Sequence, residues 1–272
     1  MSKIKFGAWT GWKNRSNLPD NKCCSYKANF LKYPINGSRN NSSIYAPQDS
    51  YTNVTKGEDL QFPTKETKTM HDRCARILQS LEGKTIQVTV VSIDIVNSSE
   101  KIRAISGELA GEYYRTFIET MSDMIQYHGG YVLKNVGDCV IGFFPCGKYI
   151  VENHDHAVSC GLAMRDMVRD LLDPYFRERK FPSIACRVSA DFGEAKVLGI
   201  SSNGDYSTID LFGSAMNAAA KILHYPRPNQ MVVGEKLLDE LIDEQEFVFK
   251  SVNRFDVTGK HSYPVYLVER KK

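Results

Sequence analysis

Apolar positions along the chain fall into two regimes. Before about residue 68 they are scattered, as Phe6, Trp9, Trp12, Tyr26, Phe30 and Tyr33, among Asn, Ser, Lys and Pro. Stretches such as INGSRNNSS and APQDSYTNVTKGED show no period. So little apolar surface does not offset the entropy of ordering, so much of the segment from Asn14 to Glu66 is expected to be loop or disorder. The aromatics there are available to dock on the following domain or on a partner. From Lys68 the pattern becomes periodic. Met70, Cys74, Ile77, Leu78 and Leu81 recur at helical spacing, which predicts a helix over 68–81 stopped by Gly83. The chain thus divides into an Asn/Ser-rich segment 1–67, a linking helix 68–84, and a globular domain 85–272.

Within that domain, β-branched runs and amphipathic stretches alternate. Gln87–Val96 reads as a buried strand and Glu100–His128 as one long helix closed by Gly129 and Gly130. Tyr131–Val136 and Cys139–Phe144 read as a hairpin around Gly137-Asp138, and His156–Leu172 as a helix. Ile184–Asp191 and Ala195–Ile200 read as a second strand pair turning at Gly193. Ser214–His224 reads as a helix, Met231–Val233 as a strand, Glu235–Ile242 as a helix, and Phe247–Phe249 and Tyr263–Val268 as closing strands. The order β-α-β-β-α-β predicts an α/β (α+β) domain with a ferredoxin-like or palm core and additions at its C-terminal end.

Composition narrows the function. The chain has 272 residues, 42% hydrophobic and 25% charged, with net charge +3, a balance unlike that of duplex-binding proteins. No apolar run approaches the roughly 20 residues of a membrane span, and the N-terminus lacks a signal-peptide core, so a cytoplasmic protein without membrane or nucleic-acid partners is expected. The seven cysteines are odd in number, dispersed and free of C-x-x-C, which argues against a disulfide framework or a zinc site. His154 and His156, at a helix start, are read as solvated. No phosphate-binding G-x-x-x-x-G-K-[ST] loop occurs.

Two carboxylates sit where carboxylates are costly. Asp94 lies near the end of the apolar strand in VVSIDIVNSS, and Asp138 at the hairpin tip in LKNVGDCVIGFF. Singly, the first reads as a helix cap and the second as a turn residue. Together, converging at strand ends, they suit a hard divalent cation completed by substrate phosphates. Downstream, in IDLFGSAMNAAAKI, Asp210 precedes Asn217 and Lys221, which share a helix face at i, i+4. The small residues Ala215, Ala218, Ala219 and Ala220 imply close approach to another backbone.

These segments resemble the hallmark motifs of class III adenylate and guanylate cyclases over roughly Thr85 to Glu269, and FDVTGKHSYPVYLV resembles the family's final strands. The spacing fits as well: 44 residues separate Asp94 from Asp138 and seven separate Asp210 from Asn217. The resemblance implies that residues 85–272 form a cyclase catalytic domain acting by two-metal in-line displacement. Asp94, Asp138 and the backbone carbonyl of Ile95 would hold two Mg²⁺ or Mn²⁺ ions. Lys134 and Asp210 would read the base, Asn217 would orient the ribose, and Lys221 would stand where the family usually has arginine. Thr258 stands where a phosphate-binding lysine is frequent, with Lys260 nearby as a substitute. A head-to-tail homodimer with shared interface sites is implied. A Lys–Asp pair matches the adenine edge, so ATP is the expected substrate and cyclic AMP the product, with CTP or UTP as the alternative. The two departures leave room for a non-catalytic nucleotide-binding dimer, and paired aspartates also occur in polymerising palm domains.

Overall fold

The computed structural model describes residues 70–103, 105–147, 153–202, 206–241, 246–252 and 263–271. Helix α1 (Met70–Ser80) leads through a turn at Gly83 into β1 (Thr85–Ile95). A short helix α2 (Ser98–Ile102) and a long one, α3 (Gly107–Tyr127), follow, then the hairpin β2 (Tyr131–Val136) and β3 (Cys139–Cys146). Helix α4 (Asn153–Met167) runs through a π-helical turn (Val168–Leu172) into α5 (Asp173–Glu178). Next come β4 (Cys186–Ser202), β5 (Tyr206–Gly213), α6 (Ser214–Ile222), β6 (Gln230–Gly234), α7 (Glu235–Leu238), β7 (Phe247–Ser251) and β8 (Val265–Arg270).

All eight strands join one sheet in the order β2-β3-β1-β4-β6-β8-β7, with β5 paired to the outer half of β4. The first four in that order make the ferredoxin-like arrangement, and β4 runs parallel to β6 while its other pairings are antiparallel. Strand β1 is central because it is apolar on both faces: Val88, Val90, Val91, Ile93 and Ile95 are buried. One face is covered by α3 and α4, the other by α1 and α6.

The structure alters three expectations. The helix expected over Glu100–His128 is divided, because Ser106 caps α3 by accepting from Leu109 N–H at 3.4 Å. The expected turn at Gly193 does not exist: β4 continues for 17 residues. Gly193 is there for close packing, since a Cβ would lie 2.9 Å from Ser214 Oγ and 3.6 Å from Ala215 Cβ. The true partner of the outer half is β5, which the polar sequence YSTIDLFG concealed. His154 is not solvated but 3% exposed, bonded through Nδ1 to Thr89 Oγ1 at 2.8 Å, and burial holds its pKa down to about 4. The cysteines at 74, 146, 160 and 186 are free and buried, as small core hydrophobes. The N-terminal segment 1–67, Thr258 and Lys260 lie outside the described residues.

Candidate active site

Asp94 is the penultimate residue of β1 and Asp138 follows Gly137 in the β2–β3 turn. Gly137 adopts φ 62°, a conformation favouring glycine, so the tight turn fixes where Asp138 points. Because Ile93 pairs with Val140, the turn falls beside the end of β1 and brings the two acids together. They feel one another: Asp94 has its pKa raised first by burial and then by the charge of Asp138, and burial plus both acids push Cys139 up to about 12. Asp138 Oδ2 is buried without a hydrogen-bond partner among the described residues. A buried oxygen left unmatched beside a second acid is what a hard cation would satisfy, so this donor set fits Mg²⁺ or Mn²⁺. No group of three or more His, Cys, Asp or Glu with ligand geometry occurs among the described residues. Ile95 ends β1 next to Asp94.

Arg187 was not singled out by its sequence. It lies directly opposite Asp94 on β4, with Nη2 3.3 Å from Asp94 Oδ2, and its Nε is buried without a hydrogen-bond partner among the described residues. Only the register of β1 against β4 reveals it.

A second constellation forms between strands that are not neighbours. Lys134 on β2 and Asp210 on β5 form a salt bridge although β3, β1 and β4 lie between their strands in the sheet. Two features bring them together. The sheet curls around α1, which packs on both β2 and β5. A bulge at Leu133 shifts the β2–β3 register just before Lys134 and re-aims its side chain. The pair is open to a ligand, with side chains 41% and 22% exposed. Asp210 is further fixed by accepting from Leu211 N–H at 2.8 Å.

Asn217 and Lys221 project from the exposed side of α6, whose other side buries Ala215, Ala219 and Ile222. The helix lies close on the β4 backbone, where a Cβ at Gly193 would be 3.4 Å from Ala215 N, and Ser189 Oγ donates to the Ala219 carbonyl at 2.8 Å.

Residues 82–270 match the adenylate and guanylate cyclase catalytic domain. The chain belongs to this family. The uridylate cyclase of Burkholderia cepacia is 25% identical over 170 residues, covering 60% of this chain and 72% of that protein. A photoactivated adenylate cyclase subunit alpha-like protein of Euglena gracilis is 30% identical over 121 residues, covering 43% of this chain but only 11% of that much longer protein. In structure, the adenylyl cyclase CyaB from P. aeruginosa superposes with a TM-score of 0.63 at 19% identity, over 70% of this chain and 96% of that one, which establishes the cyclase fold. The protein is therefore a class III nucleotidyl cyclase domain, of mixed α/β architecture. No helix among the described residues is long and apolar enough to cross a membrane.

Proposed function

We propose that this cyclase converts ATP to cyclic AMP and pyrophosphate at sites shared between two copies of the chain. The observation that carries the base assignment is the Lys134–Asp210 pair. Lysine only donates and an ionised aspartate only accepts, so the pair matches an edge offering one ring-nitrogen acceptor beside one amino donor. Adenine presents that edge. Guanine, with a carbonyl beside N–H donors, presents the reverse and would leave polar groups unpaired, a mismatch able to cost about 10⁴-fold in discrimination.

Asp94, Asp138 and the Ile95 carbonyl would hold Mg²⁺ or Mn²⁺, which when bound supplies acidification of the ribose 3′-hydroxyl and charge neutralisation on the triphosphate. The chain's own side chains do the rest. Asn217 would hold the ribose so that its 3′-oxygen faces the α-phosphorus in line with the leaving pyrophosphate. Lys221 would place a positive charge against the oxygens that gain charge as the new bond forms. Its ammonium is a point charge and lacks the planar fork of arginine, so this contact is less directional.

A second copy is the proposed partner. On the β4–β5 arm, Leu198, Ile200 and Phe212 are 38%, 50% and 41% exposed on the face turned away from buried Val197 and Leu211. Val136 beside the β2–β3 turn is likewise exposed. Apolar positions at this density next to a catalytic hairpin favour an isologous interface that closes a two-fold dimer.

A pyrimidine reading is favoured by two similarities: to a uridylate cyclase, over 72% of that protein, and to a cytidylate cyclase of Escherichia coli, 22% identical over 166 residues. Cytosine also places an amino donor beside a ring acceptor. Incubation with equal ATP, GTP, CTP and UTP and Mn²⁺, with products identified by mass, decides the matter. Cyclic AMP as the main product is expected. Faster cyclisation of CTP or UTP overturns the base assignment and leaves the cyclase chemistry standing, whereas no cyclic product from any of the four overturns the catalytic reading.

A further inference from the structure

Helix α1 lies outside residues 82–270, which match the family, yet it is built into the domain. Its Cys74, Ile77 and Leu78, with Leu81 just beyond, are all buried in one cluster with Val88 and Val90 of β1, Tyr131 and Phe143 of the hairpin, Val197 and Leu211 of the arm, and Ala215 and Ala219 of α6. The neighbours of the Lys134–Asp210 pair belong to the same cluster. Leu133 precedes Lys134, Ile141 faces it across the hairpin, and Ile209 and Leu211 flank Asp210. Arg73 places its guanidinium 4.9 Å from the centre of the Tyr131 ring, three residues before Lys134. Cys74 lies within electrostatic reach of Asp210, whose charge adds to burial in pushing the thiol up to about 12. β2 and β5 share no backbone hydrogen bonds, so the distance between them is set by what is packed beneath.

We infer that α1 positions the base-reading pair: packed under both β2 and β5, it sets the gap between Lys134 and Asp210, with Cys74 as the side chain that fixes it. The inference rests on the proposed reading that this pair recognises the base. Close packing transmits a change of a few methylenes as a shift of the surrounding strands rather than absorbing it. A wider or narrower gap suits a different base edge, so α1 controls substrate choice from behind the site without touching the substrate. Cys74 and Arg73 are thus positioning residues, and their signature is a change in base preference.

The test uses the full chain with Mn²⁺ and steady-state kinetics on ATP, CTP and GTP. Cys74→Leu is expected to change the ratio of kcat/KM between ATP and CTP by about tenfold, mostly through KM, while Cys74→Ala stays near the wild-type ratio. Ala157→Val overpacks the core on the opposite face of the sheet and serves as control: it is expected to lower the thermal midpoint and leave the ratio unchanged. Should Cys74→Leu fail to fold, Arg73→Ala, which removes only the contact over Tyr131, is expected to move the ratio as well. A folded Cys74→Leu or Arg73→Ala variant with the wild-type ratio overturns the inference, as does a control that shifts the ratio equally. Lys134→Ala separates the two levels. If it leaves the base ratio unchanged, the pair does not read the base and the proposed function fails; if it shifts the ratio while Cys74→Leu and Arg73→Ala do not, only the role of α1 fails.

Discussion

Asp94 is held in a position that its own charge disfavours. Burial raises its pKa first and Asp138 raises it further, against partial relief from Arg187. A carboxyl whose folded pKa lies above its unfolded value of about 3.9 binds its proton better in the folded state. It therefore favours folding when protonated and costs stability as pH rises through the carboxylate range. Asp94→Asn, measured by thermal unfolding in the presence of a chelator, should be more stable than the wild type at neutral pH, with the advantage shrinking toward pH 4. A variant less stable than wild type throughout would show that the Arg187 contact outweighs the conflict. The same substitution should abolish turnover, as should Asp138→Ala, and added Mn²⁺ should raise the melting temperature of the wild type but of neither variant. Such tension between acids is the usual cost of a preformed cation site, offset when the cation arrives.

Among the elements, α1 carries the clearest consequence. Cys74, Ile77, Leu78 and Leu81 are buried, and each such side chain contributes about 1.5–3 kcal/mol, against a net domain stability of about 5–15 kcal/mol. A truncation beginning at Lys68 should unfold cooperatively and retain catalysis, whereas one beginning at Glu82 should fail to give a cooperative transition by calorimetry. A stable, active protein starting at Glu82 would show that the cluster closes without the helix. This also marks how far the sequence could be read. The helix itself was legible from its period, but its place was not: residues 68–84 read as a linker because spacing shows which face is apolar and not what covers it. The meeting of the two acids was legible because Asp94 interrupts an apolar strand and Asp138 sits at a hairpin tip, and the shared face of Asn217 and Lys221 because a helix fixes their separation. Gly193 misled because glycine marks both turns and close contacts. Arg187 stayed hidden because register is a property of two strands, and β5 because YSTIDLFG carries too few apolar positions to show an alternation.

For the whole molecule, the decisive question is whether each site draws on two chains. Mixing Asp94→Ala with Asn217→Ala, each inactive alone, should restore about a quarter of the wild-type sites, since half the dimers are mixed and each has one intact site. Confirmed mixed dimers without activity would mean that one chain supplies a whole site. If the sites are shared, β4 acquires a further meaning. Near one end it holds Arg187 against Asp94, and near the other it pairs through Leu198 with Asp210. In a two-fold dimer those ends serve different nucleotides, joined by one uninterrupted strand clamped between β1 and β6 along its inner half. Such a strand acts as a tie rod, so filling one site alters the vacancy of the other. Substrate titrations should accordingly bend away from a simple hyperbola, with a Hill coefficient different from one, and a mixed dimer with a single working site should lose that curvature.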